Sequence, residues 1–332
     1  MLDDIYLRLL YEIAPSELSP SHLEIQRALE SHNEGLHSNA SYGKLVKSIY
    51  LADAQSNIGL KLGQFLLPSQ LCDFSRVLVT SENLLAALKL LERLYYVQGT
   101  CYHPFISCAN GKVSFALIFP YKHNPSEQHR RFCAETAFAY LVNGLRESIA
   151  PNFRPSKVIF DYPKPEYDEQ YAPLLGNNVS FGHALNMIEF DDHYLYKKNG
   201  THSPTLHQMY LNKCLDKIRT NDRQSSFEHK AISCLLRHHP DTLNSKKLAE
   251  KLNISVRGLQ KRLSKTGQSF SSIANDCRRE LAKVYLIQEH QSLDYTAEQL
   301  GFQTCSGFRR FFKSEFSKTP AEFLEHSIEH ND

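Results

Sequence analysis

Apolar residues recur along this chain at two different periods. Near the amino end Ile5, Leu9, Leu10 and Ile13, then Leu45, Ile49 and Leu51, fall at helical spacing, so residues 1 to about 57 read as helix-biased. A cleaner helix is predicted in SENLLAALKLLERLYY, where Leu84, Leu85, Leu88, Leu91 and Tyr95 recur at helical spacing behind Ser81, an expected N-cap. The period then drops to two. Tyr102 to Cys108 and the alternating Val113, Phe115, Leu117 and Phe119 flank Asn110-Gly111, which predicts a hairpin with a type I′ turn. Further helices are expected from Glu127 to Ile149 and from His207 to Ile218, and strands from Lys157 to Asp161 and Leu185 to Phe190. The polar, turn-like TNDRQSS that follows places a domain boundary near residues 220 to 226, giving an α+β domain over 1–222 and an all-α domain over 223–332.

The last 90 or so residues hold two related helical units about 49 residues apart. In the first, residues 243–270, Ser245 is the expected cap of a helix carrying Leu248, Ala249 and Leu252. Asn253-Ile254 turns the chain, and Ser255 caps a second helix with Val256, Leu259 and Leu263 inward. Ala249 is small enough for two helices to cross closely, as a helix-turn-helix requires. The opposite face carries Arg257, Gln260 and Lys261, residue types that bridge guanine, read adenine or hold phosphate from a major-groove helix. The second unit, residues 292–323, repeats the design with Ala297 and Leu300, Gly301 at the helix end, and Thr304 as cap. Phe308, Phe312 and Phe316 face inward, and Ser306, Arg309, Arg310 and Lys313 outward. Between the units, residues 270 to about 290 read as one connector helix, which at 1.5 Å per residue spans roughly 31 Å, close to the roughly 34 Å between successive major grooves on one side of a duplex.

Charge sharpens this picture. The 38 Lys and Arg nearly cancel 36 Asp and Glu, for a net +2. From Asn244 to Pro320, however, 14 basic residues face 7 acidic ones, a net +7, and the remainder carries −5. With 332 residues, 42% hydrophobic and 22% charged, collagen, rod and bulk-disorder classes fit poorly, and two domains are expected. Asp3, Asp4, Arg8 and Glu12 interrupt the apolar start, and the longest charge-free apolar stretch elsewhere, Val113 to Tyr121, is too short to span a bilayer; a cytoplasmic protein without membrane contact is expected. The eight dispersed cysteines, with no C-x-x-C, read as reduced and mostly buried thiols.

These residues resemble the AraC/XylS class of bacterial transcription regulators, whose DNA-binding domain joins two helix-turn-helix units by one helix. The resemblance rests on L-A-x-x-L-x-x-S-x-R-x-L-x-x-x-L-x-x-x-G-x-S-F over Leu248–Phe270, and on A-x-x-L-G-F, S-x-F-x-R-x-F-K and the closing T-P over Ala297–Pro320. Two departures stand out: Ser317 where the family usually has Gly, and Leu324 where Arg commonly follows. The resemblance implies base-edge contacts from Arg257, Gln260 and Lys261, and from Cys305, Ser306, Gly307, Arg309 and Arg310 in the second unit. Cys305 and Gly307 offer few hydrogen bonds, so the first unit is expected to carry more of the readout. GLKLGQ (59–64), the Ser81–Leu91 motif and F-G-x-x-x-N-x-I-x-F over Phe181–Phe190 are similar to the effector domain of the ornithine-utilisation-regulator branch, not to a cupin barrel. That implies a sensing and dimerising domain for a small-molecule effector, with activation through RNA polymerase recruitment.

Blander readings compete at each point. An isolated set such as Arg257, Gln260 and Lys261 is usually a solvated face, but its duplication favours DNA. Tyr95, Tyr96, Tyr102 and Phe105 read as core rather than as an effector pocket, and Cys234 with His238 and His239 lacks the further ligands zinc needs. No nucleophile motif accompanies the Cys and His residues, so no enzyme activity, metal or cofactor is expected. The alternatives are a ligand-independent regulator set by abundance or a protein partner, and a DNA-repair methyl acceptor carrying the same module, against which the absence of clustered cysteines and of P-C-H-R counts.

Overall fold

The computed structural model describes residues 56–70, 72–95, 102–120, 125–221 and 227–328. The helical reading of residues 1–55, Tyr96, Cys101 and the linker residues 222–226 lie outside the described residues. The amino-terminal part consists of α1 (Ile58–Phe65), α2 (Asp73–Val79), α3 (Leu84–Leu94), β1 (His103–Ala109), β2 (Lys112–Ile118) and α4 (Glu127–Ser148), then β3 (Lys157–Ile159), α5 (Ala172–Leu175), β4 (Val179–Ser180), β5 (Asn186–Asp191) and α6 (Pro204–Asn221). The five strands form one sheet in the order β1-β2-β5-β3-β4, antiparallel except for the parallel β3–β4 pair.

Local chemistry explains most boundaries. Asn110 and Gly111 both adopt positive φ, +52° and +75°, as a type I′ turn requires. The cap of α3 is Asn83, whose side chain accepts from Ala86 N at 2.9 Å; Ser81 instead donates to Val77 O and finishes α2. The expectation of Ser81 as cap is thus corrected by two residues. Helix α6 begins at Pro204, earlier than its apolar spacing suggested, because Pro suits a first helical turn and Ser203 caps it through Leu206 N.

GLKLGQ is a close-packing motif. Gly59 and Gly63 let α1 lie against α4: a Cβ on Gly63 would come within 2.5 Å of Ala139 Cβ and 2.7 Å of Thr136 O. Beside this crossing Glu135 is fully buried, and desolvation raises its pKa despite Arg131 and the hydroxyl donors Tyr167 and Tyr171, which reach Oε1 at 2.6 and 2.5 Å.

The sheet carries a buried apolar patch on each face. Val113, Phe115 and Leu117 of β2, with Val158, Ile188 and Phe190, join Phe132, Phe138 and Val142 of α4 in one core. The alternate residues Ala116 and Ile118, with Ile159, Leu185 and Met187, belong to a second core shared with the carboxy-terminal helices. Those helices are α7 (Phe227–His238), α8 (Ser245–Lys251), α9 (Val256–Ser264), α10 (Phe270–Lys283), α11 (Leu293–Gln299), α12 (Cys305–Phe316) and α13 (Pro320–Ile328). Polar contacts cross the same junction: Gln288 donates to Ser107 Oγ at 3.1 Å, and Arg237 to the Arg93 carbonyl at 3.4 Å. His103 and His229 meet edge-on at 6.3 Å, and burial pushes their pKa values down to about 3 and about 4, so both are neutral there.

Replacing Gly63 by Ala should cost about 1 to 3 kcal/mol, because neither Ala139 nor the Thr136 carbonyl can retreat without moving α4. Urea unfolding of the Gly63→Ala variant tests this, and an unchanged midpoint would refute the tight crossing.

Candidate nucleic-acid interface

The two helix-turn-helix units are built by matching local devices. In the first, Ile254 N donates to Ala249 O at 3.0 Å while Asn253 takes φ +55°; in the second, Phe302 N donates to Ala297 O at 2.9 Å while Gly301 takes φ +74°. Ser255 Oγ accepts from Gly258 N at 3.0 Å, and Thr304 Oγ1 accepts from Gly307 N at 3.1 Å, so both expected caps of the second helices form. The first helix, α8, is capped by Asn244 rather than Ser245, its side chain accepting from Lys246 N at 2.9 Å. Corresponding residues are 48 apart at Asn253 and Gly301 and 49 apart at Ser255 and Thr304, so the second turn is one residue longer.

The buried faces agree with the apolar pattern: Leu248, Leu259, Leu263, Leu300, Phe308 and Phe312 are fully enclosed. Arg257, Gln260 and Lys261 are exposed on α9, and Ser306, Arg309 and Arg310 are exposed on α12. Cys305 and Gly307 are half-buried at the start of α12. Gly307 has a structural account: a Cβ there would lie 3.3 Å from the capping Thr304 Oγ1, as one on Gly258 would lie 3.2 Å from Ser255 Oγ. Cys305 is held as a thiol, its pKa raised by desolvation and by its hydrogen bond to Asp294.

Among the described residues no carboxylate pairs with Arg257, Lys261, Arg309 or Arg310, whereas Lys247, Arg279 and Lys283 are committed internally. Lys247 binds Asp241 at 2.8 Å, Arg279 binds Asp276 at 2.9 Å and Glu280 at 3.1 Å, and Arg262 lies over the Phe227 ring at 5.2 Å. Lys246, Lys251, Lys265 and Lys318, outside these two helices, are exposed as well.

Sequence reasoning overlooked Arg278. From the connector helix it donates to the Leu300 carbonyl at 3.0 Å and the Leu243 carbonyl at 3.3 Å, and its guanidinium lies over Phe302 at 5.4 Å. It therefore ties the start of one unit to the turn of the other. The connector itself is α-helical only to Lys283; Val284–Gln288 form a π-helical turn, and His290 ends it at φ +48°, so the expected straight rod to residue 290 is shorter and locally widened. The widened turn presents Tyr285 to His239, 3.1 Å from its hydroxyl.

Both departures from the family pattern have local consequences. Ser317 takes the left-handed conformation, φ +57°, that glycine adopts freely, and Leu324 packs against the second core instead of offering a phosphate contact. Of seven described cysteines, Cys133, Cys214, Cys234 and Cys277 are buried, and Cys108 is exposed.

Two helix-turn-helix units on one connector, docked against an α+β domain, define a DNA-binding transcription regulator. The arabinose-binding domain of AraC transcription regulators matches residues 21–199, and a helix-turn-helix domain matches residues 248–326. The chain belongs to the AraC family of transcription regulators. It is 26% identical over 297 residues to the ornithine utilization regulator of Pseudomonas aeruginosa, covering 90% of this chain and 86% of that one. Among solved structures, the transcriptional regulator CdpR of P. aeruginosa aligns at TM-score 0.45 and 17% identity over 88% of this chain and 92% of its own. A DNA-binding transcriptional dual regulator of Escherichia coli K-12 aligns at TM-score 0.30 and 22% identity over 32% of this chain and 96% of its own. Among the described residues no helix is long and apolar enough to cross a membrane.

Removing the Arg278 guanidinium should cost about 2 to 3 kcal/mol, the usual loss when hydrogen bonds from a charged donor leave buried carbonyls unmet. Chemical denaturation of Arg278→Ala measures it, and full stability would show that water replaces the guanidinium.

Proposed function

We propose that the chain is a cytoplasmic, effector-controlled activator that reads DNA with α9 and α12. The supporting observation is the pair of outward faces, Arg257, Gln260 and Lys261 on one and Ser306, Arg309 and Arg310 on the other, all exposed and set opposite buried apolar stripes. Arg257 and Gln260 have the donor geometry for guanine and adenine edges, so the first unit carries most of the specificity. Cys305 and Gly307 contribute closeness of approach rather than hydrogen bonds. Lys and Arg contacts to phosphate supply most of the affinity.

The amino-terminal domain, taken as residues 1–222, is proposed to bind a small-molecule effector and to dimerise, with residues 223–332 as the DNA-binding domain. Effector control is supported by the match to a sugar-binding domain and by the sheet that both domains share as a wall. The dimer contact is assigned to α6, whose Leu206 and Met209 are exposed one helical turn apart. Activation by RNA polymerase recruitment completes the reading. No catalytic role is assigned.

On duplexes selected from random sequence by the full-length protein, Gln260→Ala should relax discrimination at one or two base pairs by about 1 to 3 kcal/mol. Lys313→Ala, on the same exposed side of α12 and outside the base-reading set, should instead weaken all sequences alike and flatten the dependence of log Kd on log salt by about one phosphate's worth. Uniform weakening by Gln260→Ala would remove it from the base-reading set.

A further inference from the structure

Between the end of α1, α2, α3, α4 and the inner face of β2 lies a half-open cavity of about 240 Å³. Its wall is apolar: Leu66, Leu78, Leu84, Leu88 and Leu141, with Phe115 from the sheet. Among the described residues no charged side chain lines it. Its small polar groups are engaged within the fold. Thr136 Oγ1 donates to the Gly59 carbonyl at 3.1 Å, Ser148 Oγ to the Gly144 carbonyl at 2.6 Å, and Asn199 Nδ2 to the Val79 carbonyl at 2.8 Å, while Cys72 Sγ and Ser75 Oγ meet at 3.4 Å. Tyr95, Tyr102 and Tyr140 complete the wall.

Such a lining selects its occupant by subtraction. A pentose, with a hydroxyl on nearly every carbon, would surrender its water hydrogen bonds to leucine methyls. An α-amino acid would bring two charges to a wall with no counter-charge. A neutral apolar molecule loses nothing on entry and gains dispersion contacts. A dry cavity of roughly 150 Å³ accommodates benzene, so this one has room for about ten non-hydrogen atoms.

One wall of the cavity is also the docking strut of the DNA-binding domain. Tyr95, at the end of α3, lines the cavity and also a separate crevice formed with His103, Phe105, Leu236 and Arg237. The preceding turn of α3 supplies the Arg93 carbonyl that Arg237 of α7 binds. A molecule that displaces Tyr95 therefore reaches the first helix of the DNA-binding domain without a further relay.

We infer that this cavity is a binding site for a neutral, mainly apolar small molecule of about ten non-hydrogen atoms, an alkyl or alkyl-aromatic compound bearing at most one neutral polar group. Its role as effector rests on the effector-controlled reading above.

The test uses the full-length protein with 1-octanol, 4-propylphenol, a pentose and L-α-amino acids as probes. Binding is read by calorimetry and saturation-transfer NMR, and DNA affinity by anisotropy on a selected duplex. The two apolar probes should bind saturably, and Ala87→Phe, which projects a ring into the cavity, should weaken them at least ten-fold. Should that variant misfold, Ala137→Leu makes the same comparison with a smaller side chain. A five-fold or larger change in DNA affinity with octanol or propylphenol, lost in the cavity-filling variant, supports both the ligand class and its effector role. Saturable binding sensitive to Ala87→Phe with no change in DNA affinity supports the ligand class and overturns effector control through this cavity. If a pentose or amino acid binds with that same sensitivity and the apolar probes do not, the ligand class is overturned, and a change in DNA affinity on its binding would keep effector control. Failure of every probe to bind, as when another part of the chain fills the space, overturns the inference.

Discussion

The arrangement depends on a five-stranded sheet whose two faces both carry a buried apolar patch. Val113, Phe115 and Leu117 point to α4, and the intervening Ala116 and Ile118 point to the carboxy-terminal helices. An antiparallel sheet ordinarily leaves one face to water, with polar residues at alternate positions. Here Phe105, Ala116, Ile118, Ile159 and Met187 make part of the second face apolar, while Ser107, Ser114 and Glu189 continue it as polar, so undocking the DNA-binding domain would cost the hydrophobic stabilisation of that apolar part. The neutral His103 and His229 and the Gln288–Ser107 and Arg237–Arg93 hydrogen bonds edge a contact whose centre is apolar.

That constraint gives a DNA-binding domain held from one side and free on the other. α7 and the π-helical turn after α10 reach the amino-terminal domain through Arg237 and Gln288, whereas α9 and α12 turn outward. Within the domain, rigidity comes from short-range devices repeated in both units: a cap, a glycine three residues after it, and a left-handed residue at the turn. The cap and its glycine are coupled, because any side chain at Gly258 or Gly307 would crowd the capping oxygen. Arg278 supplies the long-range element, fixing the two units relative to each other through carbonyls 35 and 22 residues away from it in the chain. The internal ion pairs of Arg279, Lys283 and Lys247 hold cations within the fold, whereas Arg257, Lys261, Arg309 and Arg310 stay exposed with no carboxylate partner among the described residues.

What was legible in the sequence is what short-range physics dictates. The hairpin follows from Asn110-Gly111, the second helices of both units from Ser255 and Thr304, and their buried faces from Leu259, Leu263, Phe308 and Phe312. Each depends on residues within a few positions of one another. The errors were also local: Asn83 and Asn244 outcompeted Ser81 and Ser245 because the adjacent backbone N–H groups fall within reach of the Asn side chains. The aromatics Tyr95 and Tyr102 read as core, and Tyr95 is buried, yet both line a cavity, since burial and pocket lining are the same signal in a sequence.

The sequence by itself determined the order of elements, the duplicated helix-turn-helix unit and where the excess positive charge lies, because these follow from periodicity, capping and composition. Tertiary structure alone decided that the sheet is the wall between two domains, that Arg278 clamps the two units, and that α3 separates an apolar cavity from the DNA-binding domain. The physical reason is that Arg278 binds backbone carbonyls, which carry no residue identity, and that a cavity is defined by what distant side chains fail to fill.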